Sequence, residues 1–447
     1  MPTPRNLLTD PIPRLVRAVA IPASTGYLFN TLFNITDTWY AGRLSTDALG
    51  ALGLSFPVYF IVLAVASGLS TGVSTLIANA LGAGRPEAAQ QLATRAIAFT
   101  LAASLLLTLG GILLAQSIFH WMGADPEPAR LATAYVTVIF LGAAFFNLGQ
   151  VFNACLIARG DTHTYRNVLL VGVLLNLILD PWFIYGGFGL PPFGFHGIAL
   201  ATILIQALVC AYLFHNVRQR GLLAPLTPRN LRLTLRDTSE ILSQSGPAAL
   251  NMLTIGIGIL VITYFLNEHG THAVAAYSIA TRVEQIVLLP VIGLNLAVLA
   301  IVGQNNGAGR HDRARETLHV ALRYGLYLLL PAFVLLLGLP RFAMALFTPD
   351  PDVIRIGTDY LRIAFLCAYA YTILFTMTAA LQAIKKPNYA IWIGLYRQLL
   401  APLILIVLLS RVFGLGVWSV WISVLFTTWS AALITVAYTR RHVPPIP

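Results

Sequence analysis

The sequence predicts an all-α polytopic membrane protein, with twelve transmembrane helices arranged as two six-helix lobes. One observation is its composition: the 447 residues are 57% hydrophobic and only 10% charged, with a mean hydropathy of +0.77. Soluble proteins are about a quarter charged. A second observation is the recurrence of apolar runs about 20 residues long, the length that spans a bilayer as a helix. The third is a parallel internal repeat that relates the two halves of the chain.

The predicted spans fall into two sets of six, because the longest polar connector, residues 218–239, lies between the sixth and the seventh. The sequence therefore predicts an N-terminal lobe over residues 1–217 and a C-terminal lobe over residues 240–447. The twelve predicted helices cover residues 15–40, 51–76, 92–118, 132–157, 166–187, 196–217, 240–267, 275–302, 317–346, 358–382, 389–410 and 417–439.

The basic residues predict the orientation of the chain in the membrane. Arg14 and Arg17 lie at the start of the first helix, five arginines lie in the 218–239 connector, and Arg440 and Arg441 follow the last helix. Because cytoplasmic loops are rich in Lys and Arg, both termini and this connector are predicted to be cytoplasmic. The net charge of +11 is scattered between apolar runs, which argues against nucleic-acid binding.

The internal repeat aligns residues 46–85 with residues 271–310 without a gap, and 14 of the 40 positions are identical. The same offset of 225 residues matches Pro22 with Pro247 and Tyr135 with Tyr360. Since each half has an even number of spans, the two halves have the same orientation. This organisation is typical of transporters that rock one lobe against the other.

A polar face interrupts the first predicted helix. Asn30, Asn34 and Asp37 are spaced at i, i+4 and i+7 and so share one side of the helix. A carboxylate at bilayer depth costs about 2.5 to 3.5 kcal/mol on insertion scales. A sequence that keeps such a residue usually uses it for ion or proton handling.

A second acid lies in the fifth predicted helix, where Asn176 and Asp180 are one turn apart and Pro181 predicts a kink. Two buried acids in one lobe coexist only if one is protonated, a cation lies between them, or water reaches them. A structural alternative is that Asp180 caps a half-helix and Asp37 pairs with another group. The repeat aligns Asp37 with Ile262 and Asp180 with Leu405, so the polar pocket is predicted in the N-terminal lobe only.

Other polar residues leave two interpretations open. Asn147, Gln150 and Asn153 in the fourth helix either line a substrate cavity together with Asn30 and Asn34, or hydrogen-bond neighbouring helices.

In the second lobe, Glu284 either forms a buried ion pair with Arg397 or belongs, with Arg282, to a second ligand or ion site. Pro22 and Pro247 predict that both leading helices can bend. The three cysteines lie in apolar surroundings without metal-ligand spacing, and no cofactor is expected.

Catalytic signatures are absent from the sequence: it has no HExxH, no phosphate-binding loop and no GxSxG. The pattern therefore predicts a transporter rather than an enzyme. An intramembrane enzyme using Asp37 and Asp180 is disfavoured because no protease-like Gly-Asp motif accompanies them. A channel is disfavoured because the repeat and the kinked helices fit alternating access better.

Four segments resemble a known family: the doubled "GAGR" after helices 2 and 8, "TDTWYAGRLSTDALGALGLSFP", "NLILDPWFIYGGFGL" and "AAYSIATRVEQ". Together they resemble multidrug and toxic compound extrusion (MATE) transporters, especially the prokaryotic DinF-type branch. The resemblance covers nearly the whole chain.

This resemblance implies a secondary active antiporter that exports cationic or amphiphilic compounds in exchange for protons, or for Na⁺, by alternating access. It implies a monomer in the inner membrane of a prokaryote. The coupling residues it implies are Asp37, Asn176, Asp180 and Thr202, with Tyr135 beside them; Na⁺ would bind at the first four. A flippase for lipids or lipid-linked oligosaccharides is the alternative function, since it shares this architecture.

Overall fold

The computed structural model describes residues 6–123, 125–187 and 189–442, and the regular structure of these residues is helical. The helices are α1 (Ile12–Leu44), α2 (Thr46–Gly82), α3 (Pro86–Trp121), α4 (Pro126–Leu141), α5 (Ala143–Ile157), α6 (His163–Tyr185), α7 (Phe195–Gln219), α8 (Pro228–Leu231), α9 (Leu235–Asn267), α10 (Thr271–Gly307), α11 (His311–Tyr327), α12 (Leu329–Ala332), α13 (Pro340–Ala345), α14 (Pro351–Ala383), α15 (Asn388–Leu395), α16 (Ala401–Arg411) and α17 (Trp418–His442). Two π-helical segments, Phe333–Gly338 and Tyr396–Leu400, join α12 to α13 and α15 to α16.

Twelve spans account for the described helices other than α8, which lies in the polar connector. Ten helical segments of the described chain are long and apolar enough to cross a membrane, and α4 and α5 together make an eleventh span. The twelfth is α1, which has 33 residues but is less apolar because Asn30, Asn34 and Asp37 interrupt it. The predicted all-α fold with twelve membrane helices is confirmed.

Three of the predicted helices are not continuous. The fourth, predicted over 132–157, is divided into α4 and α5, whose axes differ by 47°. The ninth and the eleventh each contain a π-helical segment. Hydropathy could not predict these interruptions, because it reports the length and polarity of a span and is insensitive to its hydrogen-bonding pattern.

The doubled "GAGR" sequences end their helices in the same way. α2 ends at Gly82 and α10 at Gly307, and the glycines two residues later have φ angles of +69° and +70°. The following Arg85 and Arg310 donate their backbone N–H groups to the carbonyls of Ala80 and Asn305, at 3.0 and 2.8 Å. This hydrogen bond and the left-handed glycine define a Schellman-type helix end.

The described chain forms two compact units. The first, called the N-unit, is Thr25–Ala249; the second, called the C-unit, is Met1–Ser24 with Leu250–Pro447, described over 6–24 and 250–442. The predicted lobes change at residues 217 and 240, whereas the units change after Ser24 and Ala249. These two positions are equivalent in the repeat, and each lies two residues after a proline, Pro22 or Pro247.

The early turns of α1 and α9 explain this division, because each packs within a unit that lacks most of its own lobe. In the C-unit, the hydroxyl of Ser24 lies 3.5 Å from the carbonyl oxygen of Pro290 on α10. In the N-unit, Ser245 of α9 packs so closely on α2 that a Cβ on Gly68 would lie 2.6 Å from its carbonyl oxygen. Local hydropathy does not encode such packing.

Each unit has its own hydrophobic core. Leu156 and Leu213 are fully buried in the N-unit, as are Leu361 and Met344 in the C-unit. The three cysteines are free and buried, as the sequence predicted.

Candidate functional site

The predicted acidic pocket exists in the N-unit and is built on α1 and α6. Asp37 on α1 is only 6% exposed, although it lies on a helix whose neighbouring polar residues are exposed. Asn176 on α6 donates its side-chain amide to Asp37 Oδ1 at 2.9 Å. Asn176 is itself fully buried, so the hydrogen bond fixes the carboxyl against α6.

Asp180 lies one turn after Asn176 and is also fully buried. It is close enough to Asp37 to share a hydrogen bond with it if one of the two carboxyls is protonated. Neither of the Asp180 oxygens has a hydrogen-bond donor among the described residues. A single proton shared by the two acids would supply that missing donor and remove the repulsion between like charges.

Two further residues complete the pocket from other helices. Thr202 on α7 is 3% exposed and lies beside Asp37. Thr202, which the family resemblance implied as a coupling residue, therefore lies in the pocket. Tyr135 on α4 is near both Asp37 and Asp180 and stacks on Phe195, with ring centroids 5.4 Å apart.

One residue of the pocket was missed by the sequence analysis. Tyr59 on α2 lies near Asp37 and packs its ring against Phe146, with centroids 5.8 Å apart. A tyrosine in an apolar helix gives no signal of its own. The repeat offers one, since Tyr59 is aligned with Glu284.

The pocket can bind a proton or a small cation that prefers oxygen ligands. The carboxyls supply the negative charge, and the side-chain oxygens of Asn176 and Thr202 have no hydrogen-bond donor among the described residues. Carboxylate, amide and hydroxyl oxygens are suitable ligands for a hard cation. The donor set therefore fits Na⁺ chemically, as well as a proton.

The residues predicted to line a cavity separate into two groups. Asn30 and Asn34 are exposed, and Asn34 hydrogen-bonds the carbonyl of Asn30 at 2.8 Å. They share a helical side with Asp37 without being part of its buried pocket.

The three amides of α5 form a packing network instead. Asn147 is fully buried and donates to Ser104 at 2.9 Å, and Gln150 donates to the hydroxyl of Tyr165 at 2.8 Å. Asn153 is 3% exposed and donates to Gln150 at 3.5 Å. These hydrogen bonds agree with the packing interpretation, and the cavity-lining role of the three amides stays a prediction.

The predicted ion pair between Glu284 and Arg397 is wrong for this structure. Glu284 on α10 instead accepts a hydrogen bond from the hydroxyl of Tyr360 at 2.7 Å. Arg397 lies over the ring of Tyr371, with its Cζ 5.4 Å from the centroid. Arg282 is exposed, two residues before Glu284 and on another side of α10.

The three prolines predicted to bend helices lie inside continuous helices: Pro22 in α1, Pro181 in α6 and Pro247 in α9. α6 extends past Pro181 to Tyr185, so Asp180 does not cap a separate half-helix. Bending at Pro22 and Pro247 remains a prediction.

A repeated bundle of twelve membrane helices with paired acids in one unit defines a membrane transporter, not an enzyme. The MatE family model matches residues 22–182 and again residues 247–408. The chain belongs to this family. The two matches begin at Pro22 and Pro247, the prolines that the repeat makes equivalent.

Individual relatives agree with this assignment. The chain is 28% identical over 416 residues to the FAD transporter of Shewanella oneidensis. The aligned region covers 92% of this chain and 90% of that protein. It is 28% identical over 410 residues to the probable multidrug resistance protein NorM of Thermotoga maritima, covering 91% and 88% of the two chains.

A solved structure shares the fold. A MOP superfamily transporter from Pyrococcus furiosus superposes with a TM-score of 0.91, with 24% identity over 98% of this chain and 97% of that chain. At this identity the likeness concerns the fold alone.

Proposed function

We propose that the chain is a secondary active antiporter that exports small cationic or amphiphilic compounds in exchange for protons. The observation that carries this proposal is a buried pair of acids: Asp37 accepts a hydrogen bond from Asn176, and Asp180 has no hydrogen-bond donor among the described residues. The pair is more stable with one bound proton than with both carboxyls ionised, because burial and like charge both oppose double ionisation.

Proton binding supplies a driving force of sufficient size. A proton crossing the membrane gains about 2.3 kcal/mol per 100 mV, and a tenfold concentration difference adds about 1.4 kcal/mol. This free energy drives alternating access if the conformations differ in proton affinity. In our proposal, protonation neutralises the pocket, α1 bends near Pro22, and the bound compound leaves on the outer side.

The setting follows from the family and the charge pattern. Relatives from bacteria support an inner-membrane location, and the basic connectors support cytoplasmic termini. We propose that the protein works as a monomer, since each acidic pocket residue comes from the same chain.

Sodium is a second candidate for the coupling ion. The specific observation is that Asn176, Asp180 and Thr202 all have buried oxygens without donors among the described residues. A bound Na⁺ would use these oxygens together with Asp37.

The charge of the cargo also has a second candidate. A relative named FAD transporter supports an anionic nucleotide as an alternative to a cationic compound. A lipid-pyrophosphate flippase is less consistent, since Arg397 lies over Tyr371 and Phe375 instead of joining Arg282 in a basic site.

Dye efflux from proteoliposomes tests the proposal. Under an imposed pH gradient, Asp37→Asn should lower efflux of a cationic dye at least about tenfold, equivalent to about 1.4 kcal/mol. Asp47→Asn is the matched control, because Asp47 is exposed at the start of α2 and should not alter efflux. Repeating the assay with a sodium gradient, and with FAD as cargo, separates the alternatives.

Wild-type efflux by a well-folded Asp37→Asn variant would overturn the proposal. Efflux that is driven by a sodium gradient and not by a pH gradient would identify Na⁺ as the coupling ion instead of the proton.

A further inference from the structure

A buried carboxyl in the C-unit is not used by the proposed coupling site. Glu284 is 7% exposed, and its Oε2 accepts the hydrogen bond from Tyr360. Its other oxygen, Oε1, is buried and has no hydrogen-bond donor among the described residues. An ionised carboxylate with one neutral donor is expensive in an apolar interior, whereas a protonated carboxyl is not.

The charged and titratable groups around Glu284 come from three elements. Tyr277 lies on α10 itself, Tyr360, Cys367 and Tyr371 lie on α14, and Arg397 lies in the Tyr396–Leu400 segment. Arg397 is the cation that interacts electrostatically with Glu284. It does so without an ion pair, because its guanidinium lies over the rings of Tyr371 and Phe375.

Packing around Glu284 favours a proton as its ligand. The rings of Tyr277, Tyr360 and Trp421 contact one another, with centroid separations of 5.3, 6.1 and 4.9 Å. Trp421 is 1% exposed and Tyr360 2%. An organic cation would have to separate these rings, whereas a proton needs no space.

The internal repeat gives this carboxyl an equivalent place in its own unit. Glu284 is aligned with Tyr59, and Tyr360 is aligned with Tyr135. In the N-unit both tyrosines lie near Asp37. Each unit therefore places a buried acid beside the same tyrosine position, but the N-unit supplies its acids from α1 and α6 and the C-unit supplies Glu284 from α10.

The backbone at Arg397 is also distinctive. Arg397 lies in the π-helical segment Tyr396–Leu400, whereas its repeat equivalent, Gly172, lies within the continuous helix α6. Single π-helical turns occur frequently at functional sites, because they redirect side chains from the regular helical register. The wider turn thus belongs to the same element as the cation that acts on Glu284.

We propose that Glu284 is a second proton-binding site, located in the C-unit, with Tyr360 as its hydrogen-bond donor and Arg397 as the cation that compensates its charge when the proton leaves. Deprotonation then moves Arg397 from the ring of Tyr371 towards Glu284 Oε1. Tyr360 and Arg397 are positioning residues, since the proton itself binds to Glu284. The use of this proton in transport rests on the proposed antiport, but its binding does not.

Infrared difference spectroscopy of the purified protein tests proton binding directly. Raising the pH should remove carboxylic-acid C=O bands from the wild type, and Glu284→Gln should lack one of these components. Glu268→Gln is the matched control, because Glu268 is exposed at the end of the preceding helix and should leave the component in place. Tyr360→Phe should keep the component but shift its frequency, since the hydrogen bond is lost.

Movement of Arg397 has its own readout. Arg397→Gln should change the pH at which the Glu284 component disappears, whereas Arg282→Gln, which alters an exposed arginine of α10, should not. If Glu284→Gln does not fold, Glu284→Asp serves instead and should move the component without removing it.

An unchanged spectrum in a folded Glu284→Gln variant would overturn the inference, as would a Glu284 that stays ionised at every pH. The two proposals fail separately. Asp37→Asn should retain the infrared component of Glu284. The efflux of this variant therefore tests the coupling site, whereas the infrared component of Glu284 tests the second proton-binding site.

Discussion

The N-unit and the C-unit repeat the same helices but place their buried acids differently. In the N-unit, Asp37 and Asp180 come from α1 and α6, while the equivalent C-unit positions are Ile262 and Leu405. In the C-unit, Glu284 occupies the position of Tyr59 and hydrogen-bonds Tyr360. The comparison shows that the tyrosine and the helix scaffold are shared, whereas the acids are specific to each unit. A duplicated fold can thus place buried acids at different positions in its two units.

The strongest way to test this asymmetry is to make the N-unit resemble the C-unit. Asp180→Leu copies the residue at position 405 and should lower proton-driven efflux at least about tenfold. Removing Asp180 relieves the repulsion between two buried acids, so the unfolding temperature should not fall. Leu405→Val is the control and should leave efflux unchanged. Normal efflux by Asp180→Leu would show that Asp37 acts without its partner.

The second prediction concerns the stability of a helix crossing that the two units share. Gly68 on α2 and Gly293 on α10 are equivalent, and a Cβ at either would meet a helix backbone, at Ser245 or at Ala20 respectively. Gly68→Ala and Gly293→Ala should each destabilise the protein by about 1 to 3 kcal/mol, the usual cost of overpacking.

Reversible unfolding in mixed detergent measures this effect. Gly53→Ala in α2 is the control, because its Cβ would meet no atom within 4 Å. If the two variants differed greatly in stability, the helix crossings would not be equivalent.

The smallest predicted effect concerns a loop that differs between the units. Asp161, before α6, pairs with Arg220 and accepts two hydrogen bonds from Thr164, at 3.1 and 2.7 Å. The equivalent C-unit residue is Lys386, so this pair is confined to the N-unit. Burial alone would raise the pKa of Asp161, but the hydrogen bonds from Arg220 and Thr164 outweigh it and hold the pKa below its ordinary value.

Because this pKa is lowered by folding, the pair stabilises the protein above the ordinary carboxyl value of about 4, and the effect is lost as pH falls through the lowered pKa. Asp161→Asn should therefore reduce stability by roughly 1 kcal/mol at neutral pH and much less in acid. Thermal unfolding at both pH values measures the difference. Glu127→Gln is the control, since that carboxylate and Arg130 are exposed and should contribute nothing measurable. An equal loss in acid would mean that packing, not charge, is responsible.

The sequence by itself determined the number of spans, the repeat and the buried acids of the candidate coupling site. Hydropathy identifies the membrane spans because the thickness of the bilayer fixes the length of each apolar run. Asp37, Asn176 and Asp180 stood out because acids are rare and costly at bilayer depth. Their spacing on each helix is local, so the sequence could place Asn176 and Asp180 on one side of α6.

Only the tertiary structure decided which helices meet. Tyr59 and Thr202 lie beside Asp37. Glu284 hydrogen-bonds Tyr360 and forms no ion pair with Arg397. The first turns of α1 and α9 pack in units that contain little else of their lobes. Helical periodicity reports which side of a helix a residue occupies, but not the neighbour that packs against that side. Which helix packs against that side depends on close contacts such as those at Gly68 and Gly293. Small residues allow close approach in many arrangements, so the arrangement is fixed only by the packing of the whole bundle.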